Sequence, residues 1–399
     1  MYNFIRNRII TNKDVVWVYA SMVAIFAYAM FVIKWATDFP AHAYAAQMML
    51  EEGKLFSGNF LMYFLLNLFT LFTGAKYPLR AILVLLIAAA NTAKYVLVRN
   101  AFREHLSPKY SAWASVSLLL VYIIPIIYLA NLVGISFGDE PGNMYLGYYV
   151  PNVWHNSTYL CMMPFAIATY LLSVKQFHEY LNERNWQIAI VLAISVLIKP
   201  SFFFIYILAY PCVMCLQYRF TKRFWESLWP ICVGMAILAY EYISIYMYGA
   251  VDIYESAENS KVVIDILSVL SPSFWSADRV IYILISLSFP LLFLLMEYRR
   301  VIHDKELWFV AIMLFSAIGI SLCCKETGPR ANHGNFGWQV IAAMWFVYYY
   351  ILRVVTKTSE GERQLRYGIR MKLISYIYCA HVIFGVIYVV RFIVTQNYF

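Results

Sequence analysis

The chain has 399 residues, of which 62% are hydrophobic, 18% aromatic and only 13% charged, and its mean hydropathy is +0.64. A soluble domain carries roughly 25% charged residues, so this composition excludes an ordinary soluble enzyme and predicts an all-α polytopic membrane protein with no sizeable soluble domain. The net charge of +9 does not mark a nucleic-acid partner, because Lys and Arg come in small groups between apolar runs, as the positive-inside rule expects, and none forms a basic stripe.

In chain order, Arg6 and Arg8 precede a first apolar run with no small-residue cleavage site after it, so it reads as a retained span and not a signal peptide. Apolar runs predict about eleven crossings of ~20 residues each: 15–33, 79–98, 111–131, 156–174, 187–198, 200–218, 227–249, 279–296, 307–324, 337–354 and 373–393. The fifth is short and ends at Lys199-Pro200, where proline breaks the helix, so 187–218 reads as two unequal helices meeting at a break. Residues 59–74 are apolar enough to cross, but crossing would move Arg99, Arg103 and Lys109 to the acidic side of the membrane. Laid flat on the outer surface, they leave Arg99, Arg103 and Lys109 inside with the groups at Arg6 to Lys13, Lys175 and Arg184, Arg219 to Arg223, Arg299 to Lys305 and Lys357 to Lys372, with the N-terminus inside and the C-terminus outside. The polar segments then fall on the outer face of a single membrane domain, 1–399, as a first loop with interfacial helices (35–78), a second loop (132–155), an acidic loop (250–276) and a late loop (325–337).

These loops hold the candidate chemistry. Asp38 and His42 follow the first span, and a carboxylate at the membrane surface suits a general base; the plain alternative is a solvated residue capping a helix. The second loop, with Asp139, Glu140, Asn152, Trp154 and His155, mixes aromatics, acids and amides in a way that suits sugar or acceptor hydroxyls. In the late loop, Lys325, Arg330 and His333 can hold a phosphate by charge-assisted bonds, with Asn335 beside them. Lys199, at the helix break, needs a partner too: a lipid phosphate, a loop acid, or the surface reached by snorkelling. Glu241, Lys94 and His381 fall within spans, where packing is the commoner role. Asn156-Ser157-Thr158 matches a glycosylation sequon but lies at the mouth of a span. The seven cysteines, including the Cys212/Cys215 pair, read as small apolar residues and not as metal or redox ligands. No metal-ligand spacing is present, although Asp139, Glu140 and Asp38 leave a divalent ion open.

Taken in order, these motifs resemble the GT-C superfamily of polyprenyl-phosphate-sugar-dependent glycosyltransferases, which includes protein O-mannosyltransferases and lipid A aminoarabinose transferases. The likeness rests on an outer acid after the first span (Asp38), surface helices before the second (41–74), a second outer acidic pair (Asp139, Glu140), a Lys-Pro break (Lys199-Pro200) and a late basic segment (Lys325 to His333). The chain lacks the large C-terminal domain of several relatives, which leaves the acceptor open among glycan, lipid and protein. The resemblance implies an inverting transfer from a lipid-linked sugar donor, at the periplasmic face of a bacterial inner membrane, with Asp38 as base, His42 orienting the acid or bonding the sugar, and Lys199, Arg330 or His333 on the leaving phosphate; no cofactor is required. Rival readings are a polysaccharide polymerase or ligase, for which arginine-rich loops are expected and only Arg330 fits, and a transporter, for which polar groups belong at the bilayer midplane.

Overall fold

The computed structural model describes residues 12–33, 37–135, 148–247, 261–266, 269, 277–328, 334–361 and 369–395. In chain order the helices are α1 (Lys13–Phe31), α2 (Phe39–Glu51), α3 (Leu61–Phe69), α4 (Lys76–Phe102), α5 (Pro108–Leu120), α6 (Ile126–Leu132), α7 (Ser157–His178), α8 (Asn182–Ile198), α9 (Ser201–Tyr218), α10 (Lys222–Ser227), α11 (Trp229–Tyr246), α12 (Ala277–Val301), α13 (Lys305–Cys323), α14 (Trp338–Gly361) and α15 (Ile369–Thr395). A two-stranded antiparallel ribbon, β1 (Lys261–Ile264) with β2 (Cys324–Thr327), is the sole sheet among the described residues and ties the acidic loop to the late loop. Nine helical segments among the described residues are long and apolar enough to cross a bilayer. This is the make-up of an all-α, multi-pass membrane protein.

Two expected crossings take a different form. The run 111–131 is not one helix: α5 stops at Leu120, residues 121–125 are non-helical, and α6 has only seven residues. Pro125 removes a donor from the ladder, and the opened backbone is satisfied elsewhere. Tyr122 N–H donates to the His381 carbonyl at 3.1 Å, and His381 Nδ1 lies 2.7 Å from the Tyr122 carbonyl. The last carbonyls of α5 are capped by Asn152, whose Nδ2 donates to Leu118 at 3.2 Å and Val121 at 2.8 Å. Gly385 of α15 makes this approach possible, because a Cβ there would sit 1.6 Å from the Leu120 carbonyl oxygen. The run 187–198 extends backward to Asn182 and forms a 17-residue helix. It ends at Lys199, which is extended (φ −164°, ψ 121°), and Pro200 opens α9. The break expected at Lys199-Pro200 is therefore present.

Residues 59–74 contain only α3, nine residues long. At 1.5 Å per residue it spans about 13.5 Å, against a hydrocarbon core of about 30 Å. The helix ends in a turn in which Leu71 and Phe72 take positive φ, and it packs beside α2.

Hydrogen bonds separate the two ends of the bundle. At one end, Arg99 of α4 pairs with Asp14 of α1 at 2.5 Å. There too, Gln176 of α7 donates to Asn185 of α8 at 3.0 Å, and Tyr218 of α9 donates to the Gln176 carbonyl at 2.9 Å. Glu306 of α13 accepts from Tyr170 of α7 at 2.8 Å and pairs with Arg353 of α14. The opposite end carries Asp38, His155, Asn156, Lys199 and the β ribbon. The seven cysteines are all free thiols.

Candidate functional site

Asp38 stands at the N-cap position of α2, but its side chain does not cap that helix. Pro40 in the first turn removes one of the two N–H donors that such a cap could use. The carboxylate turns instead to the start of α7, where Asn156 Nδ2 donates to Asp38 Oδ2 at 3.0 Å, and the Asp38 N–H donates to the His155 carbonyl at 3.1 Å. The solvated, capping role is thus not the one Asp38 takes.

Asn156 serves two purposes. Its Oδ1 accepts from Tyr159 N–H at 2.9 Å, the N-cap bond of α7, and from Thr158 Oγ1 at 2.8 Å. Lys199 Nζ lies 3.4 Å from Thr158 Oγ1 and 4.6 Å from the Trp338 ring centroid. Lys199, Thr158, Asn156 and Asp38 therefore form one donor-to-acceptor chain that crosses from the α8–α9 break to the start of α2. The α8–α9 break puts Lys199 at this end because proline forbids the helix from continuing past it.

Burial raises the Asp38 carboxyl above its ordinary value, against the opposing pull of the Asn156 hydrogen bond and the Lys199 charge. Burial, with the Lys199 charge adding to it, pushes both His42 and His155 down to about 3. Both histidines are neutral near pH 7. His42 Nδ1 lies 2.7 Å from the Tyr63 hydroxyl of α3 and its ring stacks on Tyr63, so α3 fixes the ring. His155, 2% exposed, packs on Trp338 with centroids 5.7 Å apart.

Other expected residues are placed differently. Asn152 is buried, and besides its bonds to Leu118 and Val121 its Oδ1 accepts from Lys94 Nζ at 2.8 Å, so its amide is engaged at the helix break. Lys94 also lies over the Trp345 ring. Trp154 is buried against Phe26, centroids 5.8 Å apart, and works as a packing residue. Lys325 pairs with Asp265 across the base of the β ribbon, so an acid already holds the cation that was expected on a phosphate. Asn335 donates to Glu326 at 2.6 Å and lines a cavity with Lys199. Asp139, Glu140, Arg330 and His333 lie outside the described residues.

That cavity, about 270 Å³, opens beside Lys199 and Pro200 and is walled by Phe204, Tyr242 and Phe336. The sequence marks Asn156 and Thr158 only as a glycosylation sequon and assigns no role to Tyr63 or Trp338. For Asn156 a signal existed: an asparagine directly before a long apolar run is an N-cap pattern. Tyr63 sits among apolar residues and carries no such mark.

No protein-family model matches the chain, and no curated protein is similar enough to match it. The functional reading rests on the residues and their geometry.

Proposed function

We propose that the chain is a membrane glycosyltransferase that moves a sugar from a polyprenyl-phosphate carrier to an acceptor hydroxyl. The observation that carries this reading is the chain of hydrogen bonds from Lys199 to Asp38, which sets a cation and a partly buried carboxylate at one end of the bundle. A transfer from a phosphodiester-linked sugar needs both: a base for the acceptor and a positive group for the phosphate that leaves.

In this scheme the acceptor hydroxyl gives its proton to Asp38 as its oxygen bonds to the anomeric carbon. The bond from that carbon to the phosphate oxygen breaks, and the polyprenyl phosphate leaves as a monoester whose new charge faces Lys199. Attack opposite the leaving group inverts the anomeric centre. His42, neutral and held by Tyr63, orients the sugar or the acid without competing for the proton. Arg330 and His333 are proposed to join Lys199 on the phosphate. Asp139 and Glu140 are proposed to meet the sugar or the acceptor. The scheme itself needs no metal. The acceptor is a glycan, lipid or protein, and the charge bias of the loops favours the periplasmic face of a bacterial inner membrane, with eleven crossings and α2 and α3 lying on the surface.

The test uses the purified full chain in detergent with a panel of farnesyl-phosphoryl hexoses and pentoses as donors and a cell-envelope extract as the source of glycan, lipid and protein acceptors, scoring chain-dependent release of farnesyl phosphate by mass spectrometry. Release from at least one member is expected. Release from none contradicts the reading.

A further inference from the structure

Glu241 lies on α11, five residues before Tyr246 ends the helix, or about 7.5 Å along its axis. It is 1% exposed, and both of its carboxylate oxygens lack a hydrogen-bond partner among the described residues. Asn59 Oδ1, in the turn before α3, is also buried without a partner. Both residues line the cavity beside Lys199. A buried acceptor left unmatched is destabilising, and here such acceptors come from two separate segments and meet in one space. The neighbouring Glu326 differs, since Tyr246 and Asn335 donate to it at 2.7 Å and 2.6 Å. Unmatched acceptors call for a ligand that brings several donors, and the aromatic walls Phe204, Tyr242 and Phe336 call for one with a flat apolar face. A sugar ring has both. The volume lies just below the roughly 300–1,000 Å³ of ordinary ligand pockets, which suits one ring and not a chain.

We propose that Glu241 and Asn59 recognise the hydroxyls of the donor sugar, and so set which sugar the protein accepts, while Lys199 holds the phosphate at the cavity edge. This rests on the reading of the protein as a lipid-phosphate-sugar transferase. A carboxylate accepts two hydroxyl protons and Asn59 Oδ1 a third. A site built to bond a hydroxyl discriminates strongly against an analogue that lacks it.

The experiment measures binding to the purified full chain, using farnesyl phosphate alone and farnesyl-phosphoryl hexoses that differ in one hydroxyl each. In the wild type, at least one hexose probe should bind ten-fold or more tighter than farnesyl phosphate. Glu241→Gln and Asn59→Leu should each erase most of that advantage and leave farnesyl phosphate affinity unchanged. Lys199→Met should weaken all probes alike, so the phosphate reading and the sugar reading fail separately. Ligand-free Glu241→Leu should melt no lower than the wild type, because it removes an unmatched buried acceptor; a residue kept for structure would melt lower. The inference is overturned if no hexose probe outbinds farnesyl phosphate, or if both variants keep the wild-type preference. It is also overturned if Mn²⁺ binds the wild type stoichiometrically and Glu241→Gln abolishes that binding, for the oxygens then serve a cation.

Discussion

Lys199 and Asp38, 161 positions apart in the sequence, are joined through two side chains at the start of α7: Thr158 accepts from Lys199, and Asn156 passes the connection to the Asp38 carboxylate. The cation belongs to the α8–α9 break and the acid to the loop before α2, so neither can shift without disturbing the N-cap of α7. The Lys199 charge favours the ionised form of Asp38, against the effect of burial.

The first prediction concerns that cation. Hydrogen bonds to charged groups contribute about 1.5–3 kcal/mol, so Lys199→Met should weaken donor binding by about 10- to 100-fold. Lys199→Arg, which keeps the charge, should retain more. Farnesyl phosphate titrations on the purified variants measure this, and unchanged affinity in Lys199→Met would remove Lys199 from the phosphate site.

The pH dependence follows from burial. Asp38 must be ionised to act as base, and burial raises its carboxyl above the ordinary value near 3.8. The acid limb of kcat/KM should therefore lie above the ordinary aspartate value, with activity lost as pH falls through it. Lys199 lowers that carboxyl, so Lys199→Met should move the limb to higher pH. A pH–rate profile of the two proteins decides the point; an unmoved limb contradicts the coupling.

His42 and His155 give a stability prediction of definite sign. Both are held at about 3 in the folded protein, against about 6.5 in an unfolded chain. Below about 6.5 the unfolded state binds more protons, so the stability these residues contribute is present above that pH and is lost progressively as pH falls toward 3. Melting temperatures in detergent at pH 7.5 and 4.5 should drop less for His155→Gln than for the wild type.

Gly385→Ala tests the broken helix. A methyl group there meets the Leu120 carbonyl at 1.6 Å, and overpacking of this kind costs about 1–3 kcal/mol. The variant should melt at a clearly lower temperature, whereas Gly319→Ala, with nothing near its Cβ, should not.

Much of the fold was legible because a bilayer imposes length and hydropathy directly on sequence. The break at Lys199-Pro200 was readable from proline alone. The break after Leu120 was not, because it depends on His381, Asn152 and Gly385, which lie far away in the chain and satisfy the opened backbone. In the site, Asp38 and Lys199 stood out as charges beside spans. Their connection did not, since it runs through Asn156 and Thr158, whose residue types also suit a helix cap. Asn152 and Trp154 were ambiguous for the opposite reason: amides and aromatics suit sugar, yet they equally suit the helix end and the packed core where these two lie.

The central claim is that Asp38 is the base. Asp38→Asn keeps size and can still accept from Asn156, but it cannot take a proton. Because burial raises the Asp38 carboxyl in the folded state, the ionised group destabilises the fold at neutral pH, and Asp38→Asn should melt no lower than the wild type. The decisive measurement is the rate of farnesyl phosphate release by purified Asp38→Asn beside the wild type, with Glu51→Gln and Glu52→Gln as controls. The account predicts a loss of about 10²–10⁴-fold for Asp38→Asn and little change in the controls. Near wild-type release by folded Asp38→Asn would contradict it.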